Sequence, residues 1–383
     1  MRISDGGARG QAPARARTWR RRGGGLLAVA AVAAAAWVAR DIQVALGRRP
    51  TGARAERVRQ SPHYRDGTFQ NPLATRTLMA NNGRRVLREF VFGGKKRRPA
   101  GPIPVATPSA EPAGDGLHIT WYGHASTLVE IDGRRVLIDP VWSERCSPSS
   151  LAGPRRLHPA PVPLDQLPRV DAILISHDHY DHLDLATVRG LTSGQDAPFL
   201  VPLGVGAHLD RWGVPAERII ELDWDDGVTI AGLRLTATAA RHFSGRAFTR
   251  DRSQWASWVI AGERHRVFYT GDSGYFDGYA GIGERYGPFD ASLMQIGAYD
   301  PSWPDIHMFP EDAVAAHLEL RGGLLIPVHW ATFDLALHGW SEPVDRVWLE
   351  AKARDVALAV PRPGERVAVA EPPPVDGWWQ TLV

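Results

Sequence analysis

From Leu117 onward the chain is a succession of short apolar runs broken by glycine, proline and aspartate. Leu117-His118-Ile119-Thr120-Trp121 and Ser126 to Ile131 read as strands. Arg134 to Ile138 reads as another, joined to the second through an Asp132-Gly133 hairpin turn. Ala172-Ile173-Leu174-Ile175 is a continuous, β-branched apolar run, the mark of a strand buried on both faces. Further strands are expected over 199–203, 228–239, 256–261, 265–270, 291–296 and 324–328, and helices over 183–191, 204–212 and 310–321. The last helix carries Pro310 at its start and Glu311-Asp312 in its first turn, where both are favourable. Strands come first as meanders and then with helices between them. That order suits two packed sheets with helices outside.

The first third of the chain has another texture. Residues 1–22 are rich in Arg, Ala and Gly, a composition that does not build a core. Leu26 to Val38 is an apolar, mostly Ala stretch behind Arg20-Arg21-Arg22, and it resembles a signal peptide or signal anchor. Residues 60–98 look like an ordered arm laid on the main domain, and Lys95-Lys96-Arg97-Arg98 opens a Pro-rich linker. The expected division is a basic leader over 1–59, an arm and linker over 60–114, and one catalytic-type domain over 115–383.

Charge sharpens that division. Residues 1–98 hold 22 Lys/Arg against 5 Asp/Glu, whereas residues 99–383 hold 23 against 37. The basic character therefore belongs to the leader and arm, which suits a tether to a lipid surface. The acidic body, with no aromatic-interleaved basic motif, argues against nucleic acid as a partner. A single cysteine, Cys146, excludes an intrachain disulfide and a thiolate metal site. Any metal must be held by His, Asp or Glu.

The residues for that are present. Directly behind the strand at 172–175 stands Ser176-His177-Asp178-His179-Tyr180-Asp181-His182-Leu183-Asp184. His177 and His179, two apart at a strand end, point the same way and can clasp one ion. Asp181 and His182 follow the turn and can reach a second ion. Three more motifs end apolar strands in the same manner: His242 after 233–239, Asp272 after 266–269 and His329 after 324–328. Singly each is weak; together they supply metal-competent side chains at one kind of address.

These motifs resemble the metallo-β-lactamase fold superfamily over roughly residues 117–330. Trp121-Tyr122-Gly123-His124-Ala125-Ser126, Ile138-Asp139-Pro140-Val141, the arm with Phe69-Gln70-Asn71-Pro72 and the segment Asp305 to Ala313 resemble the N-acylphosphatidylethanolamine-hydrolysing phospholipase D family. The resemblance implies an α+β fold, an αββα sandwich with a dinuclear zinc site. It implies that His177, His179 and His242 bind the first zinc, that Asp181, His182 and His329 bind the second, and that Asp272 bridges both. His307 matches a histidine near the reacting centre, His124 a supporting residue that hydrogen-bonds to the ligands, and Asp184 is expected to orient a ligand histidine. Asp178 need not bind metal. The implied chemistry is hydrolysis of a phospholipid, or another small-molecule ester, by a metal-bridging hydroxide. The implied location is the membrane or cell envelope through the apolar leader, and a homodimer is compatible with it. A lactonase on the same fold is the nearest alternative; a non-catalytic metal-binding envelope protein is the alternative from another class. Trp340, Trp378 and Trp379 serve either an interface or, better, core packing.

Overall fold

The computed structural model describes residues 40–79, 82–94, 96–109, 114–246 and 249–383; the apolar run Leu26–Val38 and Lys95 lie outside them. The stretch expected as leader ends in α1 (Gly52–Gln60), and the arm contributes a hairpin of β1 (Tyr64–Arg65) and β2 (Thr68–Phe69), and α2 (Gly83–Phe92). Next come β3 (Leu117–Gly123), β4 (Ser126–Ile131), β5 (Arg134–Ile138), β6 (Ala172–Leu174), α3 (Leu185–Gly194), β7 (Phe199–Pro202), α4 (Gly206–Trp212) and β8 (Ile219–Leu222). The second half holds β9 (Gly227–Ile230), β10 (Leu233–Thr238), β11 (Ser257–Ala261), β12 (Arg266–Tyr269), α5 (Gly278–Tyr286), β13 (Phe289–Gln295), α6 (Pro310–Glu319) and β14 (Gly322–Val328). The chain closes with α7 (Glu342–Ala353), β15 (Ala357–Leu358) and β16 (Arg366–Ala368).

Strands β3–β8 form one seven-stranded sheet and β9–β15 the other, with β16 returning to pair with β3 at the edge of the first. Both sheets are mixed: hairpin meanders β3–β4–β5 and β9–β10–β11–β12 lead into parallel strands. This is the expected α+β sandwich. Alternation along the strands explains why it forms. In β5, β6 and β7, Val136, Ile138, Ala172, Leu174 and Leu200 join the core between the sheets. Their neighbours Leu137, Ile173, Phe199 and Val201 pack instead with Val188 and Leu191 of α3 and Leu209 and Trp212 of α4. Both faces are covered, so these strands read as continuous apolar runs.

Several expectations shift. The strand expected over 228–239 is two strands, because Ala231 (φ 50°) and Gly232 (φ 89°) turn the chain back on itself. The Asp132-Gly133 turn forms as expected, both residues at positive φ. Trp340, Trp378 and Trp379 are buried, which places them in the core. Cys146 is buried beside Val141 and Phe333. The end of the leader and the arm are fastened to the body by ionic and backbone contacts: Arg54 of α1 pairs with Asp210 at 2.6 Å and Glu221 at 2.7 Å, and Phe69 N–H of the arm donates to Asp251 O at 2.8 Å. Among the described residues, no helix is long and apolar enough to cross a membrane.

Candidate metal centre

Within each sheet, the strands that carry candidate residues run in one direction. The segments leaving the carboxyl ends of β3, β5, β6, β10, β12 and β14 carry His124, Asp139, His177–His182, His242, Asp272 and His329. Backbone geometry there is unusual: His124 (φ 52°), Asp139 (φ 38°) and His329 (φ 66°) all adopt left-handed conformations. Such conformations cost energy and persist where surrounding structure enforces them. Gly271 (φ 57°) precedes Asp272 for a related reason. A Cβ there would lie 2.8 Å from Ser176 Cβ and 2.9 Å from Ala256 O.

The candidates converge into two groups sharing one carboxylate. In the first, His177 Nε2 lies 2.8 Å from His179 Nδ1, His242 Nε2 lies 3.3 Å from that same Nδ1, and Asp272 Oδ2 stands 3.9 and 3.8 Å from His177 and His242 Nε2. In the second, Asp181 Oδ2 lies 3.5 Å from His182 Nε2 and 3.2 Å from His329 Nε2. Asp272 Oδ2 closes this group too, 3.2 Å from His182 Nε2 and 3.1 Å from His329 Nε2. Ring nitrogens cannot bond one another without a proton or cation between them. Asp272 Oδ1 is buried without a hydrogen bond, and His182 Nε2 has only the two carboxylates beside it. A set of inward-facing imidazole and carboxylate donors with orphaned lone pairs fits a borderline divalent metal.

Surrounding residues fix the donors. His242 Nδ1 lies 2.9 Å from Ile306 O, so it carries the hydrogen and leaves Nε2 free to face inward. His182 Nδ1 lies 2.7 Å from Asp139 Oδ2. Asp139 also accepts from Ser176 N–H at 2.7 Å, from the Ser176 hydroxyl and from the Tyr269 hydroxyl. It is a fully buried hub. His124 Nε2 lies 2.9 Å from Asp181 Oδ2, where an N–H orients the carboxylate. Asp178 points away from the cluster, bonding His208 Nε2 at 3.2 Å, Ser253 Oγ at 2.7 Å and Gly245 N–H at 2.7 Å. The role expected of Asp184 needs correction. Its carboxylate caps α3 through Thr187 N–H at 3.0 Å and accepts from Ser143 Oγ at 2.7 Å, while Asp139 is the carboxylate bonded to a candidate ligand histidine.

Electrostatics follow from burying two carboxylates among imidazoles. Burial alone would raise Asp181 and Asp272, but the neighbouring histidines hold both well below the usual carboxylate range. Burial likewise opposes protonation of His329, yet Asp272 and Asp181 push it up to about 9. Burial lowers His124 to about 3, and His307 to about 4 against the pull of Asp272. Asp181 and Asp272 thus draw positive charge to the side of the centre where His329 stands. His307 Nε2 stands 3.9 Å from Asp272 Oδ2 and its Nδ1 is unpartnered.

The arm reaches this centre. Asn71 clamps the backbone of His242 from both sides, its Nδ2 donating to His242 O at 2.6 Å and its Oδ1 accepting His242 N–H at 2.9 Å. Arg76 bonds Asp305, two residues before His307, at 2.9 Å. Beside the second group lies a small cleft, about 20 Å³, lined by His124, His329, Phe333, Leu335 and Trp340.

Comparison with known proteins bears on the family and the fold. A family model described as a β-lactamase superfamily domain matches residues 134–330. An uncharacterized protein of Mycobacterium tuberculosis is 50% identical over 361 residues, 92% of this chain and 96% of that protein. N-acyl-phosphatidylethanolamine-hydrolyzing phospholipase D 1 of Caenorhabditis elegans is 36% identical over 245 residues, 61% of this chain and 69% of that protein. Among solved structures, a metallo hydrolase from the archaeon Ignicoccus hospitalis shares the fold with a TM-score of 0.51 at 24% identity, covering 66% of this chain and 97% of that one.

Proposed function

The chain belongs to the β-lactamase superfamily, as a metal-dependent hydrolase akin to the N-acyl-phosphatidylethanolamine phospholipases D, and from that premise we propose that it is a dinuclear zinc phosphodiesterase acting on N-acylphosphatidylethanolamine-like phospholipids. The observation that carries the reading is the shared carboxylate Asp272 between two His/Asp groups, with His307 beside it and the arm clamped to His242. His177, His179, His242 and Asp272 would hold one ion; Asp181, His182, His329 and Asp272 would hold the other. When bound, such a metal pair supplies Lewis acidity and lowers the pKa of water toward neutrality.

The chain's own residues supply orientation. Asp139 fixes the ring of His182, Ile306 O that of His242, and His124 the carboxylate of Asp181. Each keeps a donor aimed at the centre before substrate arrives. His307, neutral at pH 7, would donate a hydrogen bond from its ring N–H to a phosphoryl oxygen. In the net reaction the oxygen of water bonds phosphorus, the phosphorus–ethanolamine oxygen bond breaks, and the leaving oxygen takes a proton. The products are phosphatidic acid and N-acylethanolamine. The basic leader and its apolar run would keep the enzyme at the membrane that holds such a substrate.

The test is product analysis by mass spectrometry on the full chain loaded with zinc. N-acylphosphatidylethanolamine and a panel of lactones are offered separately, with His179→Ala as control. Phosphatidic acid and N-acylethanolamine, absent in the control, are expected. Lactone opening without lipid cleavage would overturn the substrate class and keep the metal centre.

A further inference from the structure

Helix α2 is amphipathic, and its orientation is inverted. Val86, Leu87, Phe90 and Val91 share one face by their three- and four-residue spacing. A surface helix normally turns such a stripe to the core. Here no residue of the helix is buried: Leu87 is 67% exposed, Val91 62% and Phe92 80%. The polar side makes the attachment instead. Arg85 donates to Asp300 at 2.7 Å, and Asn82 Nδ2 donates to Ser302 Oγ at 3.3 Å. Leu73 and Leu78, on the segment leading into the helix, are exposed as well. Arg84 and Arg88 lie beside this stripe by helical spacing and are exposed, and Lys96 and Arg98, which follow the helix in the chain, are exposed as well.

We infer that α2 and the 71–79 segment form a docking face for an anionic lipid bilayer, separate from the leader. Three observations choose the occupant. The apolar side chains are flanked by cations, complementary to anionic headgroups. A second copy of the chain would set those cations against their own kind, which costs energy. The same stretch borders the metal centre: Asn71 is bonded to His242, Arg76 to Asp305 and Met79 N–H to Ser302 O at 2.6 Å. Docking there would hold the rim of the centre at the lipid surface.

An environment-sensitive fluorophore tests this on the full chain. Single cysteines are introduced by Leu87→Cys, Val91→Cys and, as a control on an exposed loop at the other end of the sandwich, Glu263→Cys; native Cys146 is buried and takes little label. Vesicles of phosphatidylcholine and phosphatidylglycerol, free of any N-acyl lipid, are added. The probes at 87 and 91 are expected to shift to the blue and to be quenched by a lipid-phase quencher, while the probe at 263 stays in water. Arg84→Glu with Arg88→Glu is expected to weaken this response by roughly tenfold or more, and high salt to weaken it similarly. Bound protein whose probes at 87 and 91 remain in water, held by its leader alone, overturns the inference. So does a blue shift without vesicles that grows with protein concentration, which would assign the face to self-association. No substrate lipid is present, so the outcome is independent of the phosphodiesterase reading.

Discussion

Both ends of the sandwich carry histidines and aspartates, and only one end looks like a centre of chemistry. At the carboxyl ends of the strands, seven donors from four separate segments face inward, leaving Asp272 Oδ1 without a hydrogen bond. At the amino ends, Asp132 is spent on its neighbours: His265 Nδ1 at 2.6 Å and the backbone N–H groups of Arg264 at 2.9 Å and His265 at 3.3 Å. The amino-terminal end also has a cleft, about 560 Å³ along His118 and His265, roomier than the one of about 20 Å³ directly beside His124 and His329. Cleft size and residue type therefore do not identify the site. Convergence of buried lone pairs that the protein itself leaves unpaired does.

Substitutions should separate the two ends. The largest effect is expected for Asp272→Ala, which removes the shared carboxylate: a loss of about a thousandfold or more in turnover, with metal content reduced in elemental analysis. Unchanged metal and turnover would break the comparison at its root. Asp139→Asn keeps the shape of the hub but not its charge on His182 Nδ1. A weakening of metal affinity by about 10–100-fold is expected in chelator competition, with the fold intact by circular dichroism.

Smaller effects are expected where histidines serve only the fold. His317 is buried under Gly322, near the amino-terminal end, and burial lowers its pKa to about 4. An unfolded histidine titrates near 6.5, so between those values the unfolded chain binds a proton that the folded chain refuses. Stability is thus full above pH 6.5 and falls as pH drops toward 4, by up to about 3 kcal/mol from this residue. Urea melts from pH 7.5 to 4 should show His317→Gln with a shallower decline than the parent. The smallest effect belongs to Asp132→Ala. It is expected to cost about 1–2 kcal/mol in stability through lost backbone bonds and to leave turnover per bound metal unchanged. A catalytic defect there would erase the distinction between the ends.

The sequence discloses the carboxyl-terminal end better than anything else, for a physical reason. Strands β5, β6 and β7 are covered on both faces, so their apolar runs are unmistakable and the residues following them stand out. What is hidden depends on distance along the chain. Asp139 is visible within its motif, but its role is written in Ser176, His182 and Tyr269, which lie 37 to 130 residues further on. Asp184 is the converse: it sits next to the His-rich run yet serves the next helix, and its spacing to Thr187 marks it as a helix cap. Helix α5 escapes pattern reading because Gly278, Gly281 and Gly283 weaken its helical signal. Gly283 is required by contact, since a Cβ there would lie 2.3 Å from Glu319 O at the end of α6. Helix α2 escapes because its apolar stripe has no core to face.

The clamp of Asn71 on His242 also sets an order of events during synthesis. The arm leaves the ribosome long before its partner exists, because the two residues are 171 positions apart. At ordinary translation rates that interval is about 10–30 s. Throughout it Asn71 has no partner, and Leu73, Leu78 and the stripe of α2 stay open to whatever lies nearby. A nascent chain whose leader has already met a membrane would keep that stripe beside lipid while the sandwich assembles behind it. Competence of the centre would then come last, when the first-made segment closes on one of the later-made strands.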